Sequence, residues 1–115
     1  MKLVILESPY AGNVPLNIAY AKLCLLDCLK RNEAPIASHL LFTQPGILDD
    51  NDPEQRKLGI AAGLAWAKVA DIQVFYIDFG VSSGMEAAYN AGIITTEFRE
   101  LGPEVIEELK RQYPD

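Results

Sequence analysis

The sequence is poor in the residues on which several classes of protein depend. Its 115 residues include two cysteines, Cys24 and Cys28, and a single histidine, His39. Because the cysteines lie four residues apart inside a helical pattern, they indicate reduced, partly buried thiols and not a disulfide. A metal site is not predicted, since no cluster of cysteines or histidines accompanies His39.

Long hydrophobic runs are also missing. No apolar stretch approaches the roughly 18 residues needed to cross a bilayer, and the apolar part of residues 1–7 is too short for a signal peptide. A cytoplasmic protein without a membrane partner is therefore predicted. Basic residues are few, with ten Lys and Arg against sixteen Asp and Glu and a net charge of −6. This balance argues against binding of duplex nucleic acid, unless a local basic patch forms.

What is present is the composition of a globular domain, with 50% hydrophobic and 23% charged residues over a length that suits one domain, residues 1–115. Four short apolar segments are predicted strands: 3–6, 35–42, 72–77 and 93–98. Helical signals follow each of them: 13–31, 52–70, 83–91 and from 102 onward. This alternation predicts an α/β fold, a single-domain Rossmann-like or flavodoxin-like three-layer sandwich. Its sheet would be mostly parallel, with four or five strands and helices on both faces.

Helical spacing predicts which faces are buried. In the first helix the predicted buried stripe comprises Leu16, Ala19, Leu23, Leu26 and Leu29, and in the second it comprises Leu58, Ala62, Ala65 and Val69. The second helix also carries small residues around Gly59 and Gly63, so another element or subunit could approach closely.

Ligands of parallel α/β folds bind outside the carboxyl ends of the strands. Four loops are predicted to meet there: 7–12, 39–51, 78–83 and 96–100. The richest is the segment 78–86, which places Asp78 at a strand end, Ser82 and Ser83 in a turn, and Glu86 in the first turn of a helix. Backbone N–H groups at that helix start favour a phosphate or another anion. The segment is neither a Walker A loop nor a dinucleotide fingerprint, and no cofactor is predicted.

Each of these residues also has a structural interpretation. Ser83 and Glu86 fit a capping box, in which Ser83 caps the helix and Glu86 returns to its N–H. Asp78 fits simple turn chemistry. His39, near the end of a predicted strand, is either a hydrogen-bonded structural residue or a ligand contact. Tyr10 either packs in its turn or stacks on a flat ligand.

The motifs at 7–12, Glu-Ser-Pro-Tyr-Ala-Gly, and at 78–92, where Asp78, Gly80 and Glu86 precede Ala88, carry a resemblance to a known family. They resemble the Gly-Pro-Tyr-type loop and the Asp…Gly…Glu-x-x-x-Ala signature of nucleoside 2-deoxyribosyltransferases and their nucleotide N-glycosidase relatives. Over about residues 3–101 the chain more closely resembles short phage and prophage proteins of that superfamily. The shared stretches lie at 34–40, 48–50, 53–56, 59–60, 62–64 and 83–85.

This resemblance implies an activity and a set of site residues. Glu86 would attack the anomeric carbon of the sugar, and Asp78 would hold or protonate the departing base. Substrate contacts are expected from the following residues: Ser8, Tyr10, His39, Gly80, Ser82, Ser83 and Gly84. The ligand would be a small-molecule nucleoside or nucleotide, and the location would be the host cytoplasm if the chain is phage-encoded. The resemblance also implies a homodimer or higher homo-oligomer, because that fold family commonly builds its site at a dimer contact.

Three functions follow from these observations. The first is cleavage or transfer at the N-glycosidic bond of a nucleoside or nucleotide. The second is a pocket that captures a nucleotide or an ADP-ribose derivative without converting it. The third is an assembly protein that uses the helix around Gly59 to Ala67 as a subunit interface.

Overall fold

The computed structural model describes residues 1–92 and 94–115 as a four-stranded sheet with five helices. The strands are β1 (Lys2–Glu7), β2 (Glu33–Ile36), β3 (Ile72–Tyr76) and β4 (Thr96–Arg99). The helices are α1 (Val14–Lys30), α2 (Ser38–Leu41), α3 (Pro53–Ala67), α4 (Ser83–Ala91) and α5 (Pro103–Gln112). Among the described residues, no helix combines the length and the apolar character needed to cross a bilayer.

All strand pairs are parallel, and the strand order is β2-β1-β3-β4. This confirms the predicted α/β fold of the Rossmann or flavodoxin type. From β1 the chain moves to β2 on one side of it, and then crosses back past β1 to β3 on the other side. Because such connections are right-handed, α1 lies on one face of the sheet and α2 to α4 lie on the other. The point where the direction reverses lies between β1 and β3, and its carboxyl edge is the expected ligand site.

The main core lies between the sheet and α1 with α5. Its fully or nearly fully buried side chains are Val4, Leu6, Tyr20, Cys24, Cys28, Ala37, Val74, Tyr76, Ile106 and Leu109. Both cysteines are free thiols, as predicted. Burial raises the pKa of both thiols, which keeps them protonated and unreactive at neutral pH.

The predicted buried stripe of α1 is correct in part: Leu16, Ala19 and Leu23 are partly buried against the core, but the fully buried face lies beside them and the last two predicted residues are exposed. Its buried residues are Asn17, Tyr20, Ala21, Cys24 and Cys28, whereas Leu26 and Leu29 are 45% and 52% exposed. Apolar residues of α1 occur on every side of the helix, so their spacing alone does not determine which face is buried. The polar atoms of the buried face have partners inside the protein. The Cys28 Sγ, for example, lies 3.4 Å from the Tyr76 hydroxyl of β3.

The predicted strand at 35–42 is wrong over its second half. The strand ends at Ile36, and His39 lies on the short helix α2. A short apolar run does not by itself distinguish a strand from a buried helical turn, and here the chain folds back at Ala37. The fourth strand is shifted to Thr96–Arg99, and the predicted start at Ile93 lies outside the described residues.

The second predicted stripe is wrong, because Leu58 and Val69 are 61% and 63% exposed. The small residues of α3 serve a contact within the chain instead. A Cβ atom at Gly63 would lie 2.7 Å from the Ser38 Oγ, so glycine allows α2 to pack directly against α3. The homo-oligomer stays a prediction that this contact does not address.

Gly63→Ala should lower the free energy of unfolding by about 1 kcal/mol or more, because the new methyl group displaces the buried Ser38 side chain. Gly59→Ala is the matched control on the same helix. Its Cβ would lie 3.3 Å from the Leu48 Cδ1, the mobile end of a side chain, so the gain in helix propensity should leave stability unchanged or raised. Urea denaturation of both variants checks this, and equal effects would contradict the close α2–α3 contact.

Candidate functional site

A cavity of about 190 Å³ opens at the carboxyl end of β1. Its walls come from the turn after β1, from α2 and α3, and from the first turns of α4. Parallel strands bring these segments to one edge, although they are far apart in the sequence. The apolar and aromatic part of the wall comprises Tyr10, Phe42, Leu48, Ile60, Leu64 and Met85.

Six of the nine predicted site residues line this cavity: Ser8, Tyr10, His39, Ser82, Ser83 and Gly84. The other three, Asp78, Gly80 and Glu86, are not part of its wall. The two carboxylates to which the resemblance assigned the chemistry are therefore separated from most of the expected substrate contacts.

Asp78 is occupied by protein partners. Its Oδ1 accepts a hydrogen bond from the Tyr20 hydroxyl at 2.6 Å. The backbone N–H groups of Leu101 and Gly102 donate to its two oxygens at 2.9–3.0 Å. This carboxylate thus fastens the loop after β3 to the start of α5. Gly80, two residues later, has a φ of +81°, which its lack of a side chain permits in this turn.

The cap of α4 differs from the predicted capping box. Ser82 is the N-cap, and its Oγ accepts from the Met85 N–H at 3.2 Å, so Ser83 is the first helical residue. Glu86 is exposed in the first turn and makes no capping bond. The backbone N–H groups of Ser83 and Gly84 have no hydrogen-bond partner among the described residues, and both residues face the cavity. They can therefore donate to a ligand.

Ser8 and His39 form a polar pair in the wall. The Ser8 Oγ lies 2.7 Å from the His39 Nε2. Burial lowers the pKa of His39 to about 4, so the imidazole is neutral at physiological pH. Its Nδ1 is sealed and has no hydrogen-bond partner among the described residues. Because no carboxylate orients the ring, this pair lacks the third member of a nucleophilic triad.

Glu7 is a cavity residue to which sequence reasoning assigned no role. It is the last residue of β1, it is largely buried, and it lines the cavity. Its Oε1 accepts only a long hydrogen bond, 3.5 Å, from the Gln73 Nε2, and it forms no ion pair with any described residue. Burial raises the pKa of Glu7 to about 7. The signal in the sequence was a lone charge at the end of an apolar strand.

A cation lies beside the start of α4. Arg56, on α3, forms an ion pair with Asp50 at 3.5 Å, and both residues line the cavity. A Cβ at Gly84 would lie 3.8 Å from the Arg56 Nη2, so the guanidinium group is close to the free N–H groups of α4. A helix N-terminus next to an arginine favours an anionic ligand group.

A family model described as a domain of unknown function (DUF7768) matches residues 2–93. The chain belongs to the DUF7768 family. No curated protein and no solved structure matches it. Every residue that lines the cavity falls inside the DUF7768 segment, whereas β4 and α5 follow it.

The DUF7768 cavity thus combines three kinds of lining group. Arg56 and the start of α4 can hold an anion, the aromatic and aliphatic side chains can cover a flat ring, and Glu7 with Gln73 can exchange hydrogen bonds. Among the described residues, Glu7 is the cavity carboxyl whose pKa is raised into the neutral range, which suits proton transfer at physiological pH.

Proposed function

We propose that the protein binds a nucleoside or nucleotide in the cavity at the end of β1. One observation carries this proposal: the free N–H groups of Ser83 and Gly84 beside Arg56 and the side chain of Tyr10 belong to the same cavity. A nucleotide presents an anion and a flat base together, and the two parts of the wall suit them. The resemblance to the nucleoside 2-deoxyribosyltransferase-like superfamily supports the same ligand class.

In this proposal each lining group has a distinct role. The N–H groups of Ser83 and Gly84, with the Arg56 guanidinium, bind a 5′-phosphate or a sugar hydroxyl. The Tyr10 ring packs against the base. Ser8 and His39 supply a neutral polar contact, because the imidazole carries no charge near pH 7.

A second candidate function is cleavage or transfer at the N-glycosidic bond. The observation that favours it is the presence in the cavity of Glu7, a carboxyl group able to give up a proton near neutral pH. The Glu86 nucleophile implied by the resemblance would require a substrate that extends beyond the cavity wall to the exposed side of α4. The Asp78 role would require its backbone and Tyr20 hydrogen bonds to be exchanged for ligand.

The first test is incubation of the pure protein with a mixed pool of nucleosides, deoxynucleotides and ADP-ribose derivatives. Filtration and mass spectrometry then follow the bound and the free fractions. We expect an intact nucleoside or nucleotide in the bound fraction. Free base or sugar phosphate would instead support the glycosidase or transferase, with Glu86→Gln and Glu7→Gln distinguishing the two carboxyl groups. No change in either fraction would overturn both candidates.

Arg56→Ala should weaken retention of phosphorylated ligands by about tenfold or more, since it removes a charge-assisted contact. The matched control is Lys57→Ala, which removes the same charge from a neighbouring side chain that is 78% exposed and lies outside the cavity wall. Calorimetric titration with nucleoside monophosphates and the corresponding nucleosides checks this. Equal losses in both variants, or an equal loss for the uncharged nucleosides, would contradict an anion site at Arg56.

A further inference from the structure

The Glu7 carboxyl group is poorly satisfied by the protein itself. In the register of β1 and β3, Ile5 lies opposite Gln73, so Glu7 is two residues further along the same face of the sheet. The Gln73 Nε2 reaches only the Oε1, at 3.5 Å, and the Glu7 Oε2 has no hydrogen-bond partner among the described residues. Unlike His39 Nδ1, the Glu7 Oε2 is not sealed inside the protein. A molecule in the cavity can therefore reach this oxygen.

Among the described residues no cation forms an ion pair with Glu7, and this limits which ligand group fits. An ionised carboxylate would pair with two neighbouring N–H donors, as on the edge of guanine, but it would leave a buried negative charge uncompensated. The neutral acid presents one O–H donor and one carbonyl acceptor. That pair matches a ring nitrogen that accepts beside an amino group that donates, which is the edge of adenine and of cytosine.

We propose that Glu7, positioned by Gln73, is the base-recognition residue of the cavity and binds amino-bearing bases of the adenine or cytosine type as the neutral acid. This inference rests on the proposed nucleoside or nucleotide binding and names the base class within it. Burial raises the pKa of Glu7 to about 7, so about half of the carboxyl groups are already neutral at pH 7.

The other titratable groups of the wall leave the pH dependence to Glu7. His39 has a pKa of about 4 and stays neutral above pH 6. Asp50 and Arg56 form an ion pair with each other, and Tyr10 belongs to the turn after β1. Binding to the neutral acid should therefore weaken as the pH rises through about 7 and fall about tenfold per pH unit beyond that.

The test is calorimetric titration of the full chain with adenosine, cytidine, guanosine and uridine monophosphates between about pH 7 and about pH 8.5, where the ligand phosphate stays doubly ionised. The wild type should bind the adenine or cytosine nucleotide best, and more weakly at high pH. Glu7→Gln keeps one donor and one acceptor, so it should bind the same base without this pH dependence. Glu7→Leu should lose about tenfold or more in affinity. Glu107→Gln, an exposed position on α5 outside the cavity wall, should behave like the wild type.

Circular dichroism and urea denaturation first establish that each variant folds. As a second measurement, carbon NMR of the Glu7 carboxyl in the wild type should show that bound nucleotide raises its pKa further. Nucleotide binding that Glu7→Leu leaves unchanged, or a preference for guanine that grows with pH, would overturn the assignment while the proposed function stands. Binding of none of the four nucleotides would overturn both.

Discussion

Arg99→Met should lower the free energy of unfolding by about 3–5 kcal/mol, because it leaves the Glu33 carboxylate buried and without its cation. The Nη1 and Nη2 atoms of Arg99 donate to the two Glu33 oxygens, each at 2.7 Å. The two side chains are 7% and 10% exposed. The Tyr76 hydroxyl accepts a further bond from Arg99 at 3.4 Å. The hydrogen bonds from Arg99 hold the pKa of Glu33 below its usual range, so the pair is charged at neutral pH.

Urea denaturation measures this loss, and two controls define its origin. Adding Glu33→Gln to Arg99→Met removes the uncompensated charge, so the double variant should recover a large part of the stability. Arg31→Met breaks an ion pair with Asp27 at the surface, where the Arg31 and Asp27 side chains are 49% and 29% exposed. It should lower the free energy of unfolding by about 0.5 kcal/mol or less. An Arg99→Met cost as small as that of Arg31→Met would contradict a stabilising role for the buried pair.

Glu7→Gln and His39→Asn should change the pH dependence of stability in opposite directions. The pKa of Glu7 rises on folding from its usual 4.5 to about 7, so the folded state binds the extra proton and stability falls as pH rises between these values. The pKa of His39 falls from 6.5 to about 4, so stability rises with pH over that interval. In the wild type the two effects largely offset one another.

Each single variant should reveal the effect of the remaining group. As the pH rises from about 4 to 6.5, the free energy of unfolding of Glu7→Gln should increase by up to about 3 kcal/mol. As the pH rises from about 4.5 to 7, that of His39→Asn should decrease by up to about 3 kcal/mol. Urea titrations at several pH values check both curves. Because other carboxylates titrate in all three proteins alike, only the differences from the wild type are compared. Curves parallel to that of the wild type would contradict the buried state of these two groups.

Much of the fold could be predicted because its signals are local. The apolar run of β1, the Asn13 cap of α1 and the Asp52 cap of α3 each involve residues within a few positions of one another. The alternation of strands and helices then limits the sheet to few topologies. It also brings the turn after β1 and the start of α4 to one edge, and this is why six of the predicted site residues share a cavity.

The sequence by itself determined the α/β architecture, the free thiols and the edge of the sheet at which a cavity forms. Only the tertiary structure decided which carboxyl group enters that cavity. One position along α4 turns a side chain by about 100°, so Ala87 and Ala88 line the cavity while Glu86 does not. Glu7 enters it because the pairing of β1 with β3 places it beside Gln73, a contact between residues 66 positions apart. Such register depends on the packing of distant elements, which local patterns do not encode.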